Sequence, residues 1–263
     1  MNSDDAEIKA CCADFYQTDV VRLLLGDVLH PGGMELTEHL GEVLQLQQGE
    51  RVLDIACGRG SSAILLAERF GCHVTGLDYS EDSLARARAR AEAKNMTQVI
   101  HFEPGDAEEL PVEDGRFDVV ISECSLCTFP NKETATREMA RVLRSGGRVG
   151  ITDVTVNGPL PEDIQSVLAW VTCLAGAGAV SDYVSLLANA GFDGFITEDR
   201  SKDGSDMIAD MRRKLTGLAL AARIGKVETA NLDIKGTRDA LKRVEDLIES
   251  GTIGYALIAA KKK

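Results

Sequence analysis

The stretch Val52-Leu53-Asp54-Ile55-Ala56-Cys57-Gly58-Arg59-Gly60-Ser61-Ser62-Ala63 constrains this chain more than any other. An apolar run ends, a tight Gly-x-Gly turn follows, and an amphipathic segment begins. Glycine lets the backbone pass close to a ligand. The first turn of a helix offers N–H groups that no intrahelical carbonyl takes. Asp78, at the end of the next apolar run, lies twenty residues after Gly58, which suits a carboxylate accepting ribose hydroxyls. A strand–turn–helix of this kind belongs to an α/β architecture built on parallel strands.

The rest of the chain agrees. Short β-branched runs predict strands at Arg51–Ile55, Val74–Leu77, Val99–Phe102, Phe117–Ser122 and Arg148–Asp153. Helices are predicted between them at Ser61–Arg69, Glu81–Lys94 and Thr134–Leu143, the last stopped by Gly146-Gly147. Upstream, helices over 6–28 and 34–46 flank the turn Leu29-His30-Pro31-Gly32-Gly33. Downstream, helices fall near 161–176, 181–190, 205–224 and 237–250, with strands near 194–198 and at Ile253–Ala260. No repeat or low-complexity linker interrupts the pattern. The expected organisation is a helical cover over 1–46 and one α/β domain over 47–263, with helical insertions after residue 155.

Composition narrows the partners. Forty-two acidic against 29 basic residues give a formal charge of −13, a field that repels a phosphate backbone, so nucleic acid is not expected. No apolar stretch is long enough to span a bilayer, and Met1-Asn2-Ser3-Asp4-Asp5 is no secretory signal. The expectation is a cytoplasmic protein with no membrane association. Its seven cysteines, an odd number, then read as reduced thiols.

Asp54 decides between ligands. Gly58-x-Gly60-x-x-Ala63 also fits a dinucleotide fingerprint. A carboxylate beside the turn, however, repels a pyrophosphate and favours an ammonium group. S-adenosylmethionine carries adenine, ribose, sulfonium, ammonium and carboxylate, with no phosphate. The stretch Asp54-Ile55-Ala56-Cys57-Gly58-Arg59-Gly60 resembles the first motif of class I S-adenosylmethionine-dependent methyltransferases of the type 11 kind, with Ala56 replacing the first glycine. Gly76-Leu77-Asp78-Tyr79-Ser80 is similar to their ribose motif, and Gly105-Asp106-Ala107-Glu108-Glu109-Leu110-Pro111 to their adenine motif. Phe117–Ser122 and Arg141–Arg148 resemble the fourth strand and the turn into the fifth.

The resemblance implies a Rossmann-like fold with a seven-stranded, mostly parallel sheet whose last strand is antiparallel. It implies S-adenosylmethionine as cofactor, a small-molecule methyl acceptor and no metal. The cofactor contacts expected are Asp54, Ala56, Gly58, Gly60, Asp78, Tyr79, Asp106, Ala107, Glu123 and Gly33. Asp78 takes the ribose and Asp106 the adenine amino group.

Transfer from a sulfonium is an in-line displacement, so the protein must position a nucleophile and exclude water. The loop after the fourth strand, with Cys124 and Cys127, should approach the methyl group. Ser122–Lys132, Arg137–Leu143 and Trp170–Ala177 resemble stretches of arsenite methyltransferases, which implies an arsenic-binding role for Cys173. That family also uses a cysteine just after the glycine turn, where this chain has Ser61-Ser62-Ala63; Cys11-Cys12 are possible substitutes. Residues 11–33 form an expected cover, carrying Phe15, Tyr16 and His30. The candidate catalytic residues are therefore Cys173, Cys124, Cys127, Tyr16 and His30. Of the four histidines (30, 39, 73 and 101), only His30 has a route to the pocket, and no general base stands out. That favours an acceptor with its own lone pair. Four readings stay open: a soft acceptor such as arsenite, an organic acceptor (quinone precursor, amine or thiol), a cofactor-binding protein without catalysis, or, last, a nicotinamide oxidoreductase.

Overall fold

The computed structural model describes residues 9, 24–26, 28–161, 174, 176–223 and 233–263. Among these, seven strands form one sheet in the order β3-β2-β1-β4-β5-β7-β6. The strands are β1 (Arg51–Ile55), β2 (His73–Asp78), β3 (Ile100–Pro104), β4 (Phe117–Glu123), β5 (Leu143–Val156), β6 (Phe192–Asp199) and β7 (Ile253–Lys262). Strands β1 to β5 pair in parallel, and β7 inserts antiparallel between β5 and β6. The helices are α1 (Gly33–Val43), α2 (Ser61–Phe70), α3 (Glu81–Ala93), α4 (Lys132–Val142), α5 (Val180–Asn189), α6 (Ser201–Arg223) and α7 (Ile234–Glu249).

Both faces of the sheet are covered, as continuous apolar strands demand. On β1, Val52 and Leu53 are both fully buried but point to opposite faces. Val52 joins a core with Leu36 and Leu40 of α1, Leu66 of α2 and Ala87 of α3. Leu53 joins a second core with Met139 of α4 and Tyr183 and Leu187 of α5. The caps follow local chemistry. Ser80 Oγ accepts the Ser83 N–H at 3.3 Å at the start of α3, with Glu81 and Asp82 in the first turn. Asn131 caps α4 through the Thr134 N–H at 2.9 Å.

The largest boundary difference from expectation is at the fifth strand. The predicted fifth strand starts at Arg148, after a helix ending at Leu143; in the structure α4 stops at Val142 and β5 starts at once. Leu143 pairs with Phe117, and the register then jumps so that Arg148 faces Val119. The intervening residues bulge out of the ladder, with Gly146 at φ 71°. The bulge places Arg144 Nε 2.6 Å from Asp118 Oδ1. The predicted helices over 6–28 and 161–176 fall largely outside the described residues.

The sheet order reverses direction of growth between β1 and β4. That switch point leaves a crevice beyond the C-terminal ends of the strands, where open α/β sheets bind ligands.

Candidate active site

The turn after β1 is shaped by its backbone. Ala56, Gly58 and Gly60 all have positive φ, at 60°, 53° and 72°. The Cys57 N–H donates to Leu77 O at 3.0 Å, and the Gly60 N–H to Cys57 O at 2.9 Å. The Gly58 N–H donates to Asp78 Oδ2 and the Ser80 N–H to Asp78 Oδ1, both at 2.8 Å. The Asp78 carboxylate thereby locks the glycine turn to the end of β2. Gly60 is required for packing rather than ligand approach. A Cβ there would lie 2.5 Å from Phe102 Cζ, and the residue stands behind the cleft instead of lining it.

The cleft encloses about 1200 Å³ including its open mouth. Of the residues expected at a cofactor, Asp54, Ala56, Gly58, Asp78, Tyr79, Asp106, Ala107 and Glu123 line it. Tyr79 is 45% exposed, presenting its ring at the rim. Gly33 lines a neighbouring cavity instead, because the turn carries it past His30. That second cavity shares Val28 and His30 with the cleft and is bounded by Leu24, Met207 and Met211.

Three carboxylates share the floor. Asp54 is 2% exposed, and its Oδ2 has no hydrogen-bond partner. Burial, reinforced by the charges of Glu123 and Asp78, pushes its carboxyl well above the usual range. Burial also raises Asp78, opposed by the N–H groups of Ser80, Gly58 and Tyr79. An orphaned buried carboxylate oxygen at a cleft floor suits a ligand carrying an ammonium group, which would satisfy it.

Glu123, at the end of β4, is held by three elements. It accepts hydrogen bonds from Thr37 of α1 at 3.0 and 3.1 Å and from Ser62 of α2 at 2.5 Å. His30 Nε2 stands 3.7 Å from its Oε2. His30 is buried, and its Nδ1 lies 3.1 Å from the Pro31 carbonyl. A carbonyl only accepts, so that contact draws a hydrogen to Nδ1, while Nε2 lies 3.4 Å from the Thr37 hydroxyl. The imidazole lines both the cleft and the second cavity.

The thiols are arranged less tightly. Cys124, at φ 53°, lines the cleft and donates its N–H to Thr152 O at 2.6 Å. Cys127 is buried, with its N–H on Asp153 Oδ2 at 2.9 Å, and does not line the cleft. The short 3-10 turn Leu126–Thr128 rotates it away. Cys173 and Tyr16 lie outside the described residues, as do Cys11, Cys12 and Phe15. Sequence reasoning missed Lys9, Thr37 and Ser62. Ser62 carried a signal, since it opens the helix after the glycine turn; Lys9 and Thr37 carried none.

A glycine turn, an acid at the end of β2 and an acidic floor at a topological switch point define a binding site for a phosphate-free, cationic nucleoside. Residues 46–191 match the family model for a methyltransferase domain. The chain is 31% identical over 259 residues to 27-O-demethylrifamycin SV methyltransferase of Amycolatopsis mediterranei, covering 93% of each. It is 39% identical over 148 residues to an arsenite methyltransferase of Halobacterium salinarum, covering 55% of this chain and 38% of that one. The fold superposes on phosphoethanolamine N-methyltransferase 2 of Haemonchus contortus, crystallised with S-adenosyl-L-methionine, at a TM-score of 0.83 and 21% identity. This chain is covered over 97% and spans 60% of that protein's length. The chain belongs to the methyltransferase family. It is an S-adenosylmethionine-dependent enzyme of class I fold that acts on small molecules. Among the described residues, no helix is long and apolar enough to cross a membrane.

Proposed function

We propose that this enzyme methylates an oxygen of a small organic molecule, with His30 as general base. The observation that carries the reading is the buried His30–Glu123 pair, 3.7 Å apart on the cleft wall. S-adenosylmethionine, when bound, supplies a methyl group already activated on a sulfonium. Asp54 Oδ2 holds the ammonium, Asp78 the ribose and Asp106 the adenine amino group, while Tyr79 shields the rim. The anionic floor of Asp54 and Glu123 suits a donor with two cationic groups, the ammonium and the sulfonium. His30 Nε2 takes the proton of the acceptor hydroxyl, and Glu123 stabilises the imidazolium that results.

The acceptor enters from the second cavity, which shares His30 with the cleft and offers the apolar side chains of Leu24, Met207 and Met211. The name of the rifamycin relative, an O-demethyl substrate, supports an oxygen acceptor. Thr37 of α1 and His30 both reach Glu123, which supports residues 1–46 as a cover on the body formed by 47–263. The thiols of Cys57 and Cys72, buried and outside any disulfide, favour a cytoplasmic setting. Arsenite is the second reading; Cys124 on the cleft wall is the feature that favours it.

Transfer of a labelled methyl group to a panel of alcohols, phenols, enols, amines, thiols and arsenite tests the proposal. Turnover on hydroxyl acceptors is expected. Turnover confined to arsenite, and kept by His30→Ala, overturns it.

A further inference from the structure

The adenine end of the cleft holds a side chain that the family motifs do not account for. Lys9 Nζ lies 2.9 and 2.7 Å from the two oxygens of Asp106 and 2.8 Å from Glu108 Oε2. The Lys9 side chain is only 8% exposed, yet it lines the cleft beside Tyr79 and Ala107. Glu108 is itself anchored, because its other oxygen accepts the Asn131 N–H at 2.8 Å. Asp106 Oδ1 also accepts the Glu108 N–H at 2.9 Å. Burial works against charge on Lys9, but the hydrogen bonds it donates to the two carboxylates more than restore it, and its pKa rises above the ordinary value.

Adenine presents a donor, its amino group, directly beside a ring-nitrogen acceptor. A side chain that reads adenine in two places must therefore offer an acceptor and a donor side by side, as the amides of Asn and Gln do. Asp106 alone offers only acceptors. One N–H shared between the two Asp106 oxygens and one on Glu108 leave the third ammonium hydrogen as the missing donor, beside the Asp106 acceptor.

We propose that Lys9 is a cofactor-binding residue that reads the adenine ring together with Asp106, the lysine donating to a ring nitrogen while the aspartate accepts from the amino group. The pair acts as a split amide. It sets the choice of base, since a 6-oxo purine sets an acceptor against Asp106. Glu108 keeps the lysine fixed and cationic for this task. The assignment rests on S-adenosylmethionine as cofactor and is independent of the acceptor.

Calorimetry with S-adenosylhomocysteine and its 1-deaza and 7-deaza analogues tests it. Each analogue replaces by C–H one of the two ring nitrogens that lie on either side of the exocyclic amino group. Lys9→Met, with a thermal melt confirming its fold, should bind S-adenosylhomocysteine about tenfold more weakly than wild type, within the range for one base contact. One deaza analogue should bind wild type about tenfold more weakly than the parent compound, yet bind Lys9→Met as well as the parent does. Lys9→Arg should retain most of the affinity. Unchanged or tighter binding by Lys9→Met overturns the proposal, because the lysine is then only a counter-ion to the loop. So does a deaza penalty that persists in Lys9→Met, or wild type that is indifferent to both analogues. Failure of wild type to bind S-adenosylhomocysteine at all indicts the cofactor instead.

Discussion

His30 Nε2 faces Glu123 Oε2 across 3.7 Å although 93 residues separate them in the chain. The same carboxylate is held by Thr37 and Ser62, so its position is fixed by α1 and α2 before any ligand enters. His30→Gln keeps a polar group of similar reach but no base. It should lower kcat by about 10²–10⁴ while S-adenosylhomocysteine affinity stays within about threefold. Pre-steady-state methyl transfer and calorimetry on one preparation check both halves.

Asp54 separates binding from stability. Its carboxyl is raised by burial, then by the charges of Glu123 and Asp78. A raised acid destabilises the fold as it ionises, so the contribution of Asp54 to the stability of the ligand-free protein is greatest at acidic pH and is lost as pH rises through the folded-state pKa. Asp54→Asn removes that cost. It should melt higher than wild type at neutral pH without ligand, yet bind S-adenosylhomocysteine weaker by about 1.5–3 kcal/mol. A pH series of thermal melts, with and without ligand, reads both effects. Wild-type binding should also weaken as pH falls through the same pKa, because the neutral acid no longer attracts the ammonium.

Gly60 tests the packing behind the turn. Alanine there combines φ 72° with a Cβ 2.5 Å from the Phe102 ring. The expected loss is about 2–4 kcal/mol of stability in denaturant titration, from left-handed strain and overpacking together. Phe102→Leu should recover part of it by opening space. Ala56, also left-handed but free of such a clash, should tolerate glycine with a change under about 1 kcal/mol.

Glu50 and Arg148 supply a pH dependence of the opposite sign. The guanidinium meets both Glu50 oxygens at 2.9 and 2.6 Å and also donates to Leu44 O at 2.8 Å. Burial would raise the Glu50 carboxyl, but the hydrogen bonds from Arg148 and the Gln47 N–H hold it below its usual value. Its contribution is present above the unfolded-state pKa and fades as pH falls through the lower folded value. Arg148→Met should cost about 1–2 kcal/mol near neutrality, the lower end reflecting partial exposure, and less in acid. Chemical denaturation across the acid range checks the slope.

The glycine turn was readable because its constraint is local. Strand end, positive φ and helix start occupy consecutive residues, and Asp78 follows at a spacing that one helix and one strand dictate. The parallel strands were readable because burial on both faces makes each one a continuous apolar run. The start of β5 was not, since the Leu143–Phe117 pair depends on a bulge that only the neighbouring strand can impose. His30 was half visible. It could be named from its turn, but its place beside Glu123 depends on contacts with Thr37 and Pro31. Lys9 gave no signal, because a single lysine in a polar stretch looks like any solvated one until Asp106 is brought to it.

Every described residue lining the cofactor cleft lies at or before Phe129. The wall of the second cavity draws instead on α6, from Asp203 to Lys214, and on residues between Leu24 and Glu35, of which Val28 and His30 also line the cleft. On the proposed reading, donor and acceptor are served by separate parts of the gene, and substitutions on α6 should change which molecule is methylated without retuning the site that holds the methyl donor. The turn through His30 is the hinge of that inheritance: it faces both chambers, and a change there alters the two together.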